Sequence, residues 1–508
     1  MRLTQARTLS QVFFLGLFLF LVFKADLRYM AGYPVSWFLE LDPLVGLTTA
    51  LATGELFHGL FWGLPVVVGT LLVGRFFCGW VCPFGALHHV VGWAARPRSR
   101  HVRAEQNRYR PMLYAVKYVV LIAMVVAAAM GSVQIGLLDP ICLLTRSMTV
   151  AAGPVADTFV PGWFNVDFHY YVGGWLIGAL VVFLLAMNVV IPRFFCRALC
   201  PLGALLGVLS RFSLWRVVRR RPTCNGCNLC RTTCEGACDP HADLRKSECF
   251  VCFNCFDDCK PGAMSFRFMP AGSDEIPGPQ LPQRRAALGV MAGFLFFPMV
   301  RGSGASDENF SPAAIRPPGS TAEPEFLARC IKCEACARVC PTGVIQAAGF
   351  QTGVEGIWTP ILNMKLGFCE QSCVLCGQVC PTGAIQPITI QQKMGLGEGQ
   401  PDGPVKIGTA FIERGRCLPW AMERPCVVCE EVCPTSPKAV YSRSVEWTRR
   451  DGTKVTLQQP YVDPERCIGC GVCEHECPVR DKAAIRVTAI GETRSRERSL
   501  LLPGGAVL

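Results

Sequence analysis

Long apolar stretches alternate with polar segments in the N-terminal part of the chain. Four of them approach the roughly 20 residues that an apolar helix needs to cross a bilayer. They cover residues 9–23, 56–77, 112–130 and 171–191. The pattern predicts a multi-domain membrane protein that contains an all-α unit of four transmembrane helices.

Arginines indicate how this unit is oriented. They cluster between the second and third stretches, from Arg96 to Arg110, and after the fourth, from Arg211 to Arg221. Short loops rich in Lys and Arg stay in the cytoplasm, so both clusters are expected inside and the cation-poor loops outside. Lys117, near the inner end of the third stretch, is expected to reach the interface with its charged head.

A repeated motif follows the second and fourth stretches. RFFCGWVCPFGAL at 75–87 and RFFCRALCPLGAL at 193–205 are identical at nine of thirteen positions, and Leu-Asp-Pro precedes each of the two stretches, at 41–43 and 138–140. A two-helix hairpin has therefore been duplicated, and an axis along the membrane normal should relate the halves.

The duplication should gather four cysteines at the inner membrane face. These motif cysteines are Cys78, Cys82, Cys196 and Cys200. Four thiols could form one metal site or a redox-active dithiol pair that cycles to a disulfide. The alternative is that each Cys-Pro simply ends a helix.

A fifth apolar run, 286–300, follows Arg284 and Arg285. The pair resembles a twin-arginine signal inside the chain and would hold the front of a membrane anchor in the cytoplasm. Fifteen residues are few for a span, so a buried or interfacial helix is the alternative.

These features predict seven segments. They are a four-helix transmembrane unit (1–215), a two-cluster ferredoxin domain (216–270), a linker (271–283), an anchor helix (284–301), a second linker (302–325), a four-cluster ferredoxin domain (326–490) and a tail (491–508). Both ferredoxin domains are expected to be α+β.

Charge changes little in this picture. The formal net charge is +12, which would suit a nucleic-acid partner. Because the arginines cluster beside apolar segments and the mean hydropathy is +0.32, they are better explained as helix flanks. No nucleic-acid partner is expected.

Most of the 30 cysteines fall into six groups of four. They are group 1 (Cys224, Cys227, Cys230, Cys234), group 2 (Cys249, Cys252, Cys255, Cys259), group 3 (Cys330, Cys333, Cys336, Cys340), group 4 (Cys369, Cys373, Cys376, Cys380), group 5 (Cys417, Cys426, Cys429, Cys433) and group 6 (Cys467, Cys470, Cys473, Cys477). Three closely spaced thiolates and a more distant fourth are typical of paired 4Fe-4S clusters. Four-cysteine zinc sites need only two C-x2-C pairs and are the weaker interpretation.

In a ferredoxin pair the fourth cysteine of one group binds the cluster of the other. Cys259 should therefore complete the site of group 1, and Cys234, or alternatively Cys238, that of group 2. For the later groups we expect nested pairing, which joins group 3 with group 6 and group 4 with group 5. This pairing assigns Cys477 to group 3, Cys340 to group 6, Cys433 to group 4 and Cys380 to group 5.

With these motifs, residues 1–270 resemble the NapH-type membrane ferredoxins. Residues 284–490, which include the run CLPWAMERPCVVCEEVCP, resemble the NapG and MauM ferredoxin-type proteins. The resemblance implies that the chain is a fusion of two usually separate polypeptides. It implies transfer of electrons from the quinone pool, or a cytoplasmic donor, to a periplasmic cytochrome or reductase.

The implied cofactors are six 4Fe-4S clusters, with quinone as a further candidate and an extra metal or a disulfide at the motif cysteines. The chain is expected in the bacterial cytoplasmic membrane, with the first ferredoxin domain in the cytoplasm and the second in the periplasm. Quinol dehydrogenase activity is left open. The alternative function is a copper reductase or a maturation factor for a metalloenzyme.

Overall fold

The computed structural model describes residues 2–25, 33–55, 57–159, 170–241, 244–269, 289–293, 313–396, 403–449 and 452–494. A helical unit occupies the N-terminal part of these residues. Small antiparallel sheets and cysteine-bearing loops form the remainder. The 4Fe-4S ferredoxin domains expected from the sequence thus lie next to a helical unit in the same chain.

Eleven helices of seven residues or more lie in the described part of the chain. They are α1 Leu3–Lys24, α2 Pro43–Thr53, α3 Gly63–Val73, α4 Pro83–Ala94, α5 Arg100–Gln106, α6 Pro111–Ala129, α7 Pro140–Ser147, α8 Gly153–Phe159, α9 Gly174–Ala186, α10 Pro201–Leu209 and α11 Glu323–Arg329. Single helical turns carry one cysteine of each group, at Leu229–Thr232, Asn254–Asp257, Ala335–Arg338, Leu375–Gln378, Val428–Glu431 and Val472–His475.

Helices α1, α3, α6 and α9 lie on the four predicted apolar stretches. Among the described residues, two helical stretches are long and apolar enough to cross a membrane, Leu3–Lys24 and Arg100–Ala129. Gly59–Val73 and Gly174–Val189 are apolar but shorter. The four helices are thus present, whereas their four membrane crossings stay a prediction.

Four further helices, which were not expected from the sequence, contain the repeated motifs and the Leu-Asp-Pro prolines. Helices α2, α4, α7 and α10 each begin with a proline that follows Asp42, Cys82, Asp139 or Cys200. Proline suits the first helical position because no intrahelical bond needs its nitrogen. The residue before it caps the helix with its side chain. Each Cys-Pro pair therefore begins a helix, and in the first motif Cys82 also ends the helical turn Phe77–Val81.

Charged residues also lie deeper than the sequence suggested. Asp42 and Asp139, which belong to the two Leu-Asp-Pro segments, are fully buried. Each carboxylate accepts hydrogen bonds from two backbone N–H groups at the start of its helix. Lys117 does not reach the interface: its Nζ is fully buried, 2.5 Å from Glu248 Oε2. Tertiary ion pairing has replaced the expected solvent contact.

The described part of the predicted anchor, residues 289–293, is helical and packs along α6. A Cβ at Gly289 would lie 3.4 Å from Ile122 Cβ, and one at Gly293 would lie 3.1 Å from Val126 Cβ. Small residues four apart allow this close helix contact, as in membrane helix pairs. The linker 271–283 and the rest of the anchor lie outside the described residues.

Four two-stranded antiparallel sheets frame the cysteine groups. Strand β1 (Trp215–Arg219) pairs with β2 (Met264–Phe268), β3 (Ile345–Ala347) with β4 (Pro360–Leu362), β5 (Thr409–Ile412) with β8 (Ile485–Thr488), and β6 (Val440–Thr448) with β7 (Lys454–Val462). The β1–β2 pair encloses groups 1 and 2, and the β5–β8 pair encloses groups 5 and 6. A bridge between Ser320 and Ile385 encloses groups 3 and 4.

The ferredoxin domains contact opposite ends of the helical unit. Near the start of α1, Arg7 lies 2.8 Å from Glu235 of the first domain. Near its end, the carbonyl of Val22 accepts a hydrogen bond from Arg338 of the second domain. Helix α6 also contacts one domain near each end. Lys117, near its start, pairs with Glu248 of the first domain, and Gln134, just after its end, accepts a hydrogen bond from Lys332 of the second.

Two expected boundaries are wrong. Residues 313–325, predicted as linker, pack into the second ferredoxin domain, where Arg316 is buried against Glu323. Residues 491–494, predicted as tail, pack there too, because Arg494 lies 2.8 Å from the same carboxylate. A buried carboxylate needs cationic partners, and these flanking segments supply them.

Candidate functional site

The cysteines of group 1 meet the last cysteine of group 2. Cys224, Cys227 and Cys230 line one cavity together with Cys259. Asn228, between the ligands, adopts the left-handed backbone region at φ 54°, which curves the loop around the cavity. The predicted partner of group 1 is therefore the one that the structure brings to it.

Group 2 has two neighbouring candidates for its fourth thiol. Cys234 lies close enough to Cys249, Cys252 and Cys255 for its charge to affect the ionisation of each thiol. The sulfur of Cys238 lies 3.3 Å from that of Cys234 and also contacts Cys249. Because Cys234 reaches all three thiols of group 2, the geometry favours Cys234 and leaves Cys238 beside the site.

The nested pairing predicted for groups 3 to 6 is wrong. Cys380 lies near the first three thiols of group 3, and Cys340 lies near those of group 4. Cys433 lies near the first three thiols of group 6. Cys477 lies near Cys417 and Cys429 of group 5 and lines one cavity with all three of its first thiols. Groups therefore pair with their neighbour in sequence.

The physical reason is the strand closure around each pair. The β5–β8 pair holds the ends of one segment together, so groups 5 and 6 face each other across a short distance. One almost apolar cavity is lined by Cys417, Cys426, Cys429 and Cys477. A backbone hydrogen bond also joins the two pairs, because Cys369 N donates to Cys470 O at 2.8 Å.

The surroundings of these thiols suit iron-sulfur clusters. The backbone N–H of Ala263 donates to Cys259 Sγ at 3.2 Å, and the backbone N–H of Ala484 donates to Cys477 Sγ at 3.4 Å. Lys393 Nζ lies 3.2 Å from Cys369 Sγ. Hydrogen bonds to sulfur are among the features that set cluster potentials. Among the described residues, no three Cys, His, Asp or Glu side chains surround a single-ion position.

The motif cysteines come together in the core of the helical unit. They are 4–7% exposed. Cys78 and Cys196 lie close enough for their charges to interact, and each also lies close enough to interact with Cys82 and Cys200. Cys82 Sγ accepts the N–H of Gly85 at 3.4 Å, and Cys200 Sγ that of Gly203 at 3.2 Å. The duplication thus produces a four-thiol cluster, as the repeat predicted.

Two buried ion triads flank these thiols, and neither was predicted. In one, Glu248 lies 2.5 Å from Lys117 and 3.5 Å from Arg75. In the other, Glu235 lies 2.8 Å from Arg7 and 2.7 Å from Arg193. Each triad contains two basic side chains and one carboxylate.

The second triad keeps its carboxylate ionised. Burial opposes ionisation of Glu235, but Arg193 and Arg7 outweigh it and hold the pKa of this carboxyl well below its usual range. His89 lies 3.4 Å from the same carboxylate, yet burial lowers the pKa of its imidazole to about 4. His89 is therefore neutral at pH 7, and the triad keeps one excess positive charge.

The sequence did contain a signal for these arginines. Arg75 and Arg193 occupy the first position of the repeated motif, so each stands three residues before a motif cysteine. An arginine at the same position in both halves of a duplication marks a position that the two motifs share. Its partners come from the first ferredoxin domain and were invisible without the fold.

Comparisons with known proteins agree with these sites. A family model described as a 4Fe-4S binding domain matches residues 56–103 and 172–222. A 4Fe-4S dicluster domain matches residues 329–384, which contain groups 3 and 4, and a 4Fe-4S binding domain matches 460–480. The dicluster match is consistent with the sequential pairing. No solved structure matches the chain significantly.

Three curated relatives each match part of the chain. The methylamine utilization ferredoxin-type protein MauM of Paracoccus denitrificans is 31% identical over 40% of this chain and 82% of its own length. The ferredoxin-type protein NapH of Escherichia coli is 28% identical over 50% of this chain and 85% of its own length. Protein NirI of Paracoccus denitrificans is 32% identical over 46% of this chain, which spans only 33% of NirI.

The paired cysteine groups, their strand-closed loops and these matches define an iron-sulfur electron-transfer protein of the ferredoxin class. More narrowly, the chain belongs to the NapH/MauM-type ferredoxin family, as the resemblance predicted.

Proposed function

We propose that this chain is a membrane-embedded relay that carries single electrons across the bilayer through six 4Fe-4S clusters. The first ferredoxin domain takes electrons from the quinone pool or from a cytoplasmic donor, and the second passes them to a periplasmic cytochrome or reductase. Its cysteine groups supply the cluster ligands, in the pairing that the structure brings together. The chain itself performs no acid-base catalysis in this role.

The observation that carries the proposal is the placement of the two domains at opposite ends of α1. This helix has 22 residues and is about 33 Å long, close to the roughly 30 Å of a bilayer core. Domains held at its two ends would face different compartments if α1 crosses. The arginine-rich segments lie at the end occupied by the first domain, which supports a cytoplasmic position for it.

The surface of the helical unit supports a lipid setting. Large apolar side chains are exposed along α1, α3, α6 and α9. They include Leu9, Val12, Phe13, Leu64, Val68, Met112, Trp175, Val182 and Phe183, each at least half exposed. Large apolar side chains exposed in this number along four helices are typical of contact with lipid or a partner.

A donor site is available at the inner end of the helical unit. A cavity of about 350 Å³ is lined by His88, His89, Arg193 and Glu235, among others. This volume is within the range of small-molecule sites. It adjoins the segment that carries Cys234, so a donor bound there would lie beside the group 2 cluster.

A topology reporter fused after Ser306 tests the crossing, with a fusion after Pro97 as the cytoplasmic control. The proposal expects a periplasmic signal at the first position and a cytoplasmic signal at the second. A cytoplasmic signal at both positions would place all six clusters in one compartment and refute the relay.

Purified protein tests the chemistry in a second experiment. The proposal expects a quinol analogue, or a reduced low-potential donor, to reduce the clusters anaerobically. Reduction of cupric ion by the protein without cluster reduction by either donor would instead favour the copper reductase.

A further inference from the structure

We infer that the second ferredoxin domain delivers electrons at an aromatic and cationic surface beside the group 5 site, to a redox protein that presents carboxylates around its own electron-accepting centre. This surface is termed the arginine–aromatic face and consists of Arg414, Trp420, Tyr441, Arg443 and Tyr461. The inference rests on the proposed relay, which supplies an acceptor outside the chain, and it adds where and by what chemistry that acceptor binds.

The order of the cysteine groups in this domain follows from their neighbours. Group 3 adjoins the helical unit, because Arg146 donates to the carbonyl of Lys332 at 3.2 Å and Cys333 belongs to the same buried core as the helices. Groups 3 and 4 form one pair. Group 4 adjoins group 6, since Cys369 N donates to Cys470 O at 2.8 Å. Groups 5 and 6 form the other pair, so the order from the helices outward is 3, 4, 6 and 5.

The burial of the ligands agrees with this order. The first three cysteines of group 3 are buried, whereas Cys426, Cys429 and Cys477 at the group 5 site are partly exposed. The almost apolar cavity that they line together with Cys417 is bounded by Pro460. Electron tunnelling slows steeply with distance. A cluster at the end of the order, with partly exposed ligands, is therefore the one from which another protein can take electrons.

The arginine–aromatic face begins at this site. Trp420 lies three residues after Cys417, and its Nε1 donates at 3.3 Å to the carbonyl of Pro460, which lines the cavity. The Trp420 ring lies 5.5 Å from the Tyr461 ring, which stacks on the Tyr441 ring at 5.9 Å. Three rings thus lead from the group 5 loop to the exposed strand β6.

Two arginines lie on these rings. The guanidinium of Arg414 lies 4.2 Å from the centroid of the Trp420 ring, and that of Arg443 lies 4.7 Å from the centroid of the Tyr461 ring. Both arginine side chains are exposed, and neither forms a salt bridge with a described carboxylate. Stacking on an aromatic ring holds a guanidinium in place without neutralising it. The face therefore presents two positive charges that no described carboxylate balances.

The β6–β7 hairpin that carries two of the rings is longer than the closure of the cluster pair requires. Strands β5 and β8 already close the chain around groups 5 and 6, yet β6 and β7 have nine residues each, against three to five in the other described strands. The hairpin is buried at Val440 and Leu457, whereas Tyr441 and Trp447 are 36% and 44% exposed. A two-stranded sheet gains little stability by itself. Its exposed aromatic side chains are therefore available to another molecule.

The composition of the face indicates a protein partner with an acidic surface. Trp, Tyr and Arg are the residue types that most often dominate protein interfaces. Guanidinium groups bind carboxylates through paired hydrogen bonds, and unbalanced positive charge steers an acidic protein toward the face. In the transfer, the reduced group 5 cluster loses one electron and the oxidised centre of the acceptor gains it. No bond forms or breaks, and no proton moves.

The test measures electron delivery from full-length protein that is purified anaerobically in detergent, reduced with dithionite and freed of the excess. Two acceptors serve as probes. One is cytochrome c, whose surface is rich in lysine, and the other is the same cytochrome after succinylation, which turns its lysines into carboxylates. Stopped-flow absorbance follows reduction of the haem at low ionic strength. We expect the succinylated cytochrome to be reduced faster, and its rate to fall as salt is added.

The double variant Arg414→Gln/Arg443→Gln removes both charges and leaves every cysteine in place. Its rate with the succinylated cytochrome should fall roughly tenfold, while its iron content stays that of the wild type. Arg443→Gln alone should lower the rate by roughly threefold, which keeps the test decisive where the double variant loses iron. Arg100→Gln/Arg267→Gln removes the same charge from exposed positions outside this domain and is the matched control expected to keep the wild-type rate.

Wild-type rates in both arginine variants would refute the inference, as would faster reduction of the unmodified cytochrome or an equal loss of rate in the control. A dimer that only the arginine variants dissociate would assign the face to a second copy of the chain and overturn the inference. So would anionic lipid in nanodiscs that slows the wild type to the variant rate, because a membrane surface would then cover the face. The clusters are reduced chemically, so these rates depend neither on membrane crossing nor on the natural donor. Failure of this test and failure of the proposed relay are therefore distinguishable.

Discussion

Glu248 is the residue whose removal most directly tests how the first ferredoxin domain is held on the helical unit. It stands just before Cys249 and is fully buried. Its carboxylate lies 2.5 Å from Lys117 Nζ and 3.5 Å from Arg75, and it accepts a hydrogen bond from the Tyr118 hydroxyl at 3.2 Å. Glu248→Gln keeps the shape of the side chain and removes the only negative charge of this triad.

The structure allows the size of the effect to be worked out. Removing one partner of a buried ion pair costs about 3–5 kcal/mol, because the remaining charge stays buried without compensation. For a unit of this size such a loss lowers Tm by roughly 6–20 °C. Lys117→Met should cost less, since Arg75 and Glu248 remain as a neutral pair.

Thermal unfolding of the purified protein in detergent, followed by intrinsic fluorescence, measures both variants. The exposed pair Glu105–Arg108 offers a control, because a surface ion pair contributes little and Glu105→Gln should leave Tm unchanged. The reasoning fails if Glu248→Gln and Lys117→Met lower Tm equally, or if neither differs from Glu105→Gln.

Three further predictions follow from the domain contacts. Gly136→Val should detach the second ferredoxin domain from the helices, because a Cβ there would lie 1.6 Å from a carbonyl oxygen of the group 3 loop. Hydrogen exchange of backbone amides should rise across that contact. It should stay normal in the control Gly92→Ala, where a Cβ has open space. Cys477→Ser should change the spectrum of the group 5 cluster and leave group 3 intact, whereas the nested pairing would expect the reverse. Arg316 and a second arginine hold the pKa of the buried Glu323 at about 2, so Glu323→Gln should lower the free energy of unfolding by about 3 kcal/mol at pH 7. Since the folded pKa is depressed, that deficit should shrink as pH falls from about 4.5 toward 2, and a deficit independent of pH over this window would contradict the assignment.

The positions of the apolar helices and the grouping of the cysteines were readable from the chain alone. Hydrophobic stretches locate helices because an apolar surface must be buried or face lipid wherever it occurs. Cysteine spacing indicates the cofactor because thiolates close in sequence can reach the same cluster. The duplication was equally visible, and it correctly brought four distant motif cysteines together.

The pairing of groups 3 to 6 required the tertiary structure. Each group supplies three nearby thiols by itself, but its fourth ligand comes from whichever group the fold brings close. Strands β5 and β8 and the bridge from Ser320 to Ile385 close the chain around neighbouring groups. Short closures also lose less chain entropy than nested ones, which favours sequential pairs.

The buried charged residues show most clearly what the sequence determined and what the tertiary structure decided. The sequence by itself determined that Arg75, Arg193 and Lys117 stand beside apolar helices, and such residues ordinarily extend toward water. Only the tertiary structure decided that they are buried, because Glu235 and Glu248 arrive from a separate domain to neutralise them. A buried charge depends on a partner that can lie anywhere in the chain, so its fate is a property of the fold and not of its neighbours in sequence.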